Sequence, residues 1–309
     1  YEINIGDWSS DVCSSDLGML LLLFVEFFGM VGMGAQRWID LGFIVLQPSE
    51  LMKVALIMAL ASYYDWLDDA RVSRPLWVFL PILVIIAPTV LVLMQPNLGT
   101  SVMLVAVGGA VMLAAGVSLW YFAAVIGGVG GTVFAILFSE GTPWQLLHDY
   151  QYRRIHTFLD PAADPLGAGY NIIQAKIALG SGGWSGKGFM QGTQSRLNFL
   201  PEKHTDFIFT TYGEEFGYAG AIFLLILYAL VLIFCITAAV RNKDRFSQLL
   251  IIGVAVNFFL YIAVNLSMVM GMAPVVGVPL PLLSYGGSAT LVILIAFGLV
   301  QSAIIHRPR

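Results

Sequence analysis

Asp206 stands where a carboxylate could work as a base. It lies in the run Phe199-Leu-Pro-Glu-Lys-His-Thr-Asp206-Phe-Ile-Phe209, just after His204 and Thr205 and just before an apolar stretch. A carboxyl group at the edge of apolar surface is partly desolvated, which raises its proton affinity and suits it to general-base catalysis. The plainer alternative is an exposed loop aspartate or a helix N-cap. The residues around it, taken alone, favour that plainer reading; the charge of the whole segment is what singles it out. Residues 139–217 hold eight acidic and six basic residues, against 19 and 15 in the whole chain. A protein that gathers its charge into one segment places its reactions or its partner contacts there.

Other polar groups interrupt apolar sequence. Glu50 and Lys53 are three residues apart in Gln47-Pro-Ser-Glu-Leu-Met-Lys53, so a helix puts them on one face. Pro48 suits the first turn of that helix and Glu50 its positive end. Charges at membrane depth pair with each other or serve a function, and a structural ion pair fits equally well. Arg37-Trp38 is an interfacial anchor or a contact for an anionic headgroup. Gln95-Pro-Asn97 breaks an apolar run and reads as a hairpin turn. Gly180–Gly188 must turn sharply, but its glycine spacing is not that of a phosphate-binding loop.

These residues must be carried by membrane helices. The 309 residues are 58% hydrophobic and 11% charged, with mean hydropathy +0.83; soluble domains carry about 25% charged residues. The fold class is therefore all-α, a polytopic transmembrane bundle. Eight spans are expected, near 18–34, 49–64, 76–95, 98–116, 118–138, 218–240, 248–271 and 284–305. Residues 139–217 form one large loop, with a short amphipathic helix at about 170–179. Arg71 and Arg74, then Arg241, Lys243 and Arg245, then Arg307 and Arg309 fall on one side of an alternating path. That side is cytoplasmic by the positive-inside rule, and the large loop is external. A net charge of −4 offers no nucleic-acid surface, and two cysteines, Cys13 and Cys235, make no disulfide framework. Residues 1–17, with Ser-Ser-Asp twice, read as a non-native or disordered segment, and 18–309 as the membrane domain.

The segment 265–289 is rich in helix-stopping proline and in glycine, including Asn265, Pro274, Gly277, Ser284, Gly286 and Gly287. It reads as a rigid re-entrant or cavity-lining loop. Together with AQRWIDLG (35–42), QPSE (47–50), QPNLGTS (95–101), DPLGAGY (164–170) and GTQSRLNFLPEKHTDFIF (192–209), it resembles the SEDS family of shape, elongation, division and sporulation proteins. The form of the last motif is closer to the elongation branch than to the division branch. The resemblance covers about residues 18–309. Members have ten spans, so the first two are expected to be missing here. Asn97 stands where the family commonly has Asp.

The resemblance implies a peptidoglycan glycosyltransferase that polymerises lipid II on the outer face of the bacterial cytoplasmic membrane. It carries the catalytic role onto Asp206. Arg37, Glu50, Lys53, Lys187, Arg196, Lys203, His204 and Thr205 are then candidates for binding substrate. The leaving pyrophosphate needs charge stabilisation, from cationic side chains or from a divalent cation such as magnesium or manganese. The implied partners are lipid II, membrane lipid and a class B penicillin-binding protein. Glu50, Lys53 and Arg37 are expected to border the same pocket as Asp206. A flippase of the same lipid is the rival reading. A single acidic residue dominating an external loop, and no inverted repeat, favour chemistry over transport. A structural scaffold gives no reason for a desolvated carboxylate in that loop.

Overall fold

The computed structural model of the protein describes residues 22, 30–32, 35–40, 45–95, 97–139, 170–197 and 204–305. Three short strands come first: β1 (Met30–Gly32), β2 (Ala35–Asp40) and β3 (Val45–Leu46), antiparallel in the order β1-β2-β3. Helices follow: α1 (Pro48–Trp66), α2 (Pro75–Met94), α3 (Leu98–Ala114), α4 (Leu119–Ser139), α5 (Tyr170–Ser181), the single turn α6 (Thr193–Arg196), α7 (Ile208–Arg241), α8 (Arg245–Val269) and α9 (Gly287–Ile305).

The expected spans from residue 49 onward are all helices at the expected places. Among the described residues, α2, α4, α7, α8 and α9 are long and apolar enough to cross a membrane. Most of the first expected span lies outside the described residues. Of 18–34 only Leu22 and Met30–Gly32 are described, and Met30–Gly32 is strand, with Gly32 paired to Ala35 and Met30 to Trp38. Glycines in this stretch weaken a helix by about 1 kcal/mol each relative to alanine, and the hairpin satisfies the backbone instead. The foreign character expected of residues 1–17 lies outside the described residues.

The chain forms two compact units. The first comprises Tyr1–Val117, Ile226–Ala263 and Val276–Arg309. Prolines at the first turns of α1 and α2 start those helices where the missing N–H costs nothing. The Asn97 side chain caps α3 by accepting from the Thr100 amide. The helices then approach closely through glycine. A Cβ on Gly108 would lie 2.6 Å from Ile85 of α2, and one on Gly253 would lie 2.4 Å from Ile57 of α1. Small residues at such crossings are how membrane helices gain packing without a hydrophobic driving force. At one end of the unit, Arg245 donates to the carbonyls of Leu67 and Ala115, the C-cap residues of α1 and α3, each at 3.2 Å, and pairs with Asp69 at 2.5 Å.

The second unit comprises Ser118–Leu225 and Val264–Val275. Helix α5 buries Ile172, Ala175 and Ala178. A Cβ on Gly271, just past α8, would meet the Lys176 side chain at 2.5 Å, so α5 packs directly on that segment. The glycine-rich turn after α5 is tied by backbone bonds across the break in α7 at Gly217. Lys187 and Gly188 amides donate to the Glu214 and Glu215 carbonyls at 3.0 Å, and the Tyr218 amide donates to the Gly183 carbonyl at 2.9 Å.

Candidate active site

Asp206 sits in the turn that leads into α7. It is half-buried, next to half-buried Thr205 and Phe207, whose ring is 1% exposed. The expected edge between polar loop and apolar helix is therefore present around it. Its backbone carbonyl accepts a hydrogen bond from Asn265 Nδ2 at 2.8 Å. Asn265 has no exposed surface and stands on α8. The residue that bears the carboxylate is thus held by a buried side chain on a spanning helix. His204 is exposed beside it.

The chain leading to Asp206 is anchored at its other end by Glu214. This carboxylate has no exposed surface, and its Oε1 accepts from Lys187 Nζ at 2.7 Å, the Thr193 amide at 2.8 Å, the Thr193 hydroxyl at 2.9 Å and the Gln194 amide at 3.2 Å. Charge-assisted bonds of this kind are stronger than neutral ones. Glu214 thereby fixes residues 193–194, and Asn265 fixes residue 206. Lys187 also donates to the Thr193 hydroxyl at 2.7 Å, so its charge is compensated within the loop. Arg196 is exposed on α6. Lys203 lies outside the described residues.

Glu50 and Lys53 lie in the first unit, both buried on α1, with Lys53 Nζ 2.8 Å from Glu50 Oε1. Tyr261 of α8 completes the group. Its hydroxyl donates to Glu50 Oε2 and accepts from Lys53 Nζ, and Lys53 also stands 4.1 Å from the Tyr261 ring centroid. A buried pair survives when its remaining lone pairs and protons are bonded, and Tyr261 supplies that. Arg37 falls in β2.

The 265–289 motif divides in function. Asn265 holds Asp206, while Pro274 and Gly277 are exposed in the irregular stretch after α8, with φ +69° at Gly277. The Ser284 hydroxyl accepts from the Leu280 amide at 2.7 Å and closes the turn into α9. Gly286 and Gly287 line an open groove of about 630 Å³ with Tyr285, Thr290, Leu291 and Leu294. Among the described residues, no three His, Cys, Asp or Glu side chains cluster to hold a metal ion.

Sequence reasoning did not find Tyr261, Glu214 or the Asn265 contact. For two of them a signal existed: Asn257, Tyr261 and Asn265 recur every fourth residue in α8 and are all buried, a polar stripe inside a spanning helix. Glu214 left no such trace, because its partners are distant in sequence.

The chain is similar to several known proteins along most of its length. The peptidoglycan glycosyltransferase MrdB of Escherichia coli K12 is 44% identical over 289 residues, covering 94% of this chain and 76% of the relative. A chain from a solved peptidoglycan synthase complex, described for its coordination of polymerization and crosslinking, matches with TM-score 0.77 and 31% identity over 97% of this chain and 82% of that one. The rod shape determining protein RodA of Thermus thermophilus matches with TM-score 0.68 and 25% identity, over 97% and 79%. The family model for cell cycle proteins of the FtsW, RodA and SpoVE type matches residues 13–308, and the chain belongs to that family.

Proposed function

We propose that this multi-pass membrane protein is an elongation-type peptidoglycan glycosyltransferase that extends glycan strands from lipid II. The observation that carries the reading is the anchored carboxylate: Asp206 at an apolar edge, its carbonyl bonded to buried Asn265. The relatives' activity makes the reaction class specific.

In this reading Asp206 takes the proton of the acceptor sugar 4-hydroxyl. The freed oxygen attacks the anomeric carbon of the donor, the bond from that carbon to the pyrophosphate oxygen breaks, and undecaprenyl pyrophosphate leaves. The configuration inverts and a β-1,4 bond results. Anchoring at Asn265 and Glu214 keeps the base within reach of the hydroxyl, and orientation of this kind is a large part of catalysis. Arg196, Lys203 and His204 flank the carboxylate in sequence and are candidates for the substrate's phosphates. A divalent ion, magnesium or manganese, would add charge stabilisation for the leaving pyrophosphate. The reaction takes place on the outer face of the cytoplasmic membrane, beside a class B penicillin-binding protein that crosslinks the product.

The test is polymerisation of supplied lipid II by purified protein. Asp206→Asn keeps size and shape but removes the base, and the rate is expected to fall by about 10²–10⁴ at unchanged protein level. A variant that still makes strands at the wild-type rate would overturn the assignment. Were the protein a flippase, it would form no strands by itself, a separate purified synthase would polymerise supplied lipid II normally, and the variant would fail in vesicle translocation.

A further inference from the structure

The glycine-rich turn after α5 presents three large apolar side chains. Trp184 is 72% exposed, Phe189 70% and Met190 68%. They do not project from a floppy loop. The Trp184 ring lies 5.3 Å from that of Tyr218, and the Phe189 ring 6.2 Å from that of Phe216. The backbone is bonded across the same point, with the Ala219 amide on the Trp184 carbonyl at 3.1 Å and the Gly188 amide on the Glu215 carbonyl at 3.0 Å. Gly186 and Gly217 pack backbone to backbone there, and a Cβ on Gly217 would come within 2.3 Å of the Gly186 nitrogen.

Tyr218 begins the apolar part of α7, so the loop rings are fixed beside the start of that apolar segment. Below them the outward side of α7 continues apolar and exposed through Ile222, Phe223 and Leu225. Tryptophan and tyrosine favour the membrane interface, where a ring meets acyl chains and its polar edge meets headgroups. The turn's single charge, Lys187, is neutralised by Glu214. Nothing in it opposes immersion, and nothing recruits anionic lipid.

We propose that Trp184, Phe189 and Met190 form an interfacial foot immersed in the boundary between lipid headgroups and acyl chains, holding the loop against the bilayer beside the entry of α7. The occupant of this surface is lipid, through apolar contact that does not depend on headgroup charge. Immersion of interfacial segments is roughly 5–10 Å below the headgroups. This goes beyond the proposed reaction and would stand if the reaction were different.

The experiment uses the full chain in zwitterionic bilayers with Cys13→Ser and Cys235→Ala. Trp184→Cys, Phe189→Cys or Met190→Cys each carries an environment-sensitive fluorophore. Ala70→Cys, in the exposed turn between α1 and α2, reports water, and Leu230→Cys, exposed on the apolar part of α7, reports the acyl region. All three foot positions are exposed, so a label requires no repacking of the interior. The expected result is severalfold weaker quenching by aqueous iodide than at Ala70→Cys. Quenching should be stronger by lipid brominated near the headgroup than by lipid brominated at the chain end, and unchanged when anionic lipid is added. Iodide quenching equal to that of Ala70→Cys at all three sites would place the foot in water and overturn the proposal. Shielding from both iodide and bromine would mean that protein covers the patch, and would overturn it equally.

Discussion

Lys187 Nζ lies 2.7 Å from Oε1 of Glu214, a carboxylate with no exposed surface, while the lysine side chain keeps 28% of its own. The pair is asymmetric. Water can take over from Glu214 at the lysine end, but nothing in solvent can replace Lys187 at the glutamate end.

The first prediction follows from that asymmetry. Glu214→Ala frees Lys187 to water but removes the acceptor of the Thr193 and Gln194 amides, and should cost about 1–3 kcal/mol. Lys187→Met leaves a carboxylate with no exposed surface without its cation, and should cost more, roughly 3–5 kcal/mol, the range for stranding a buried charge. Thermal melting in detergent, with limited proteolysis between residues 193 and 206, checks the order. Equal effects of the two substitutions would mean that the buried carboxylate does not depend on Lys187 for its charge.

The second concerns Asn265. Asn265→Ala deletes the donor to the Asp206 carbonyl, 59 positions away in sequence, while the carboxylate itself remains. A displacement of about 1 Å can cost on the order of 10²-fold in rate. Polymerisation should therefore fall mainly in kcat, with protein level and substrate KM close to wild type. If KM rises and kcat holds, Asn265 acts on binding and not through the position of Asp206.

How much of this was open to a reading of the sequence can be judged from single residues. Pro48 and Pro75 mark helix starts because proline suits only the first turn, and Asn97 marks another through its cap. Asp206 was legible because it stands at a polar-to-apolar boundary that composition alone displays. The partners were not. Asn265 reaches Asp206, Lys187 reaches Glu214 over 27 positions, and Tyr261 reaches Glu50 over 211. Periodicity reports which face a residue takes, not what meets it across the fold. Lys187 read as a cation open to substrate, and only the fold gives it Glu214. Met30–Gly32 was misread as helix because a short apolar run looks alike in either conformation.

The third prediction tests the Glu50–Lys53–Tyr261 group. Tyr261→Phe keeps the ring near Lys53 but removes the hydroxyl that serves both charges. It should destabilise the protein by about 1–3 kcal/mol. Lys53→Met alone should be worse, since it leaves Glu50 buried without its cation. Glu50→Gln combined with Lys53→Met should recover part of that loss, because a neutral pair has less desolvation to offset. Melting temperatures of the single and double variants give the coupling. A double variant no more stable than Lys53→Met would show that the two charges are not energetically paired.

The last prediction contrasts two glycines of the same region. Gly217 has φ +66° and ψ −164°, a backbone region essentially restricted to glycine. A Cβ there would come within 2.3 Å of the Gly186 nitrogen, 2.7 Å of the Trp184 carbonyl oxygen and 2.8 Å of the Ser185 carbonyl carbon. All three are backbone atoms of the loop bonded across the break, so no side-chain rotation can relieve the contact. Gly217→Ala should therefore pull the loop away from α7 and disturb the Lys187–Glu214 pair with it. Gly180, inside α5, has open space where its Cβ would stand. Gly180→Ala gains helix propensity and should leave stability unchanged or raise it by about 0.5–1 kcal/mol. Melting of the two variants in detergent and proteolysis of the loop decide the matter. Gly217→Ala matching Gly180→Ala in both measurements would mean that the interlocked backbone does not hold the loop in place.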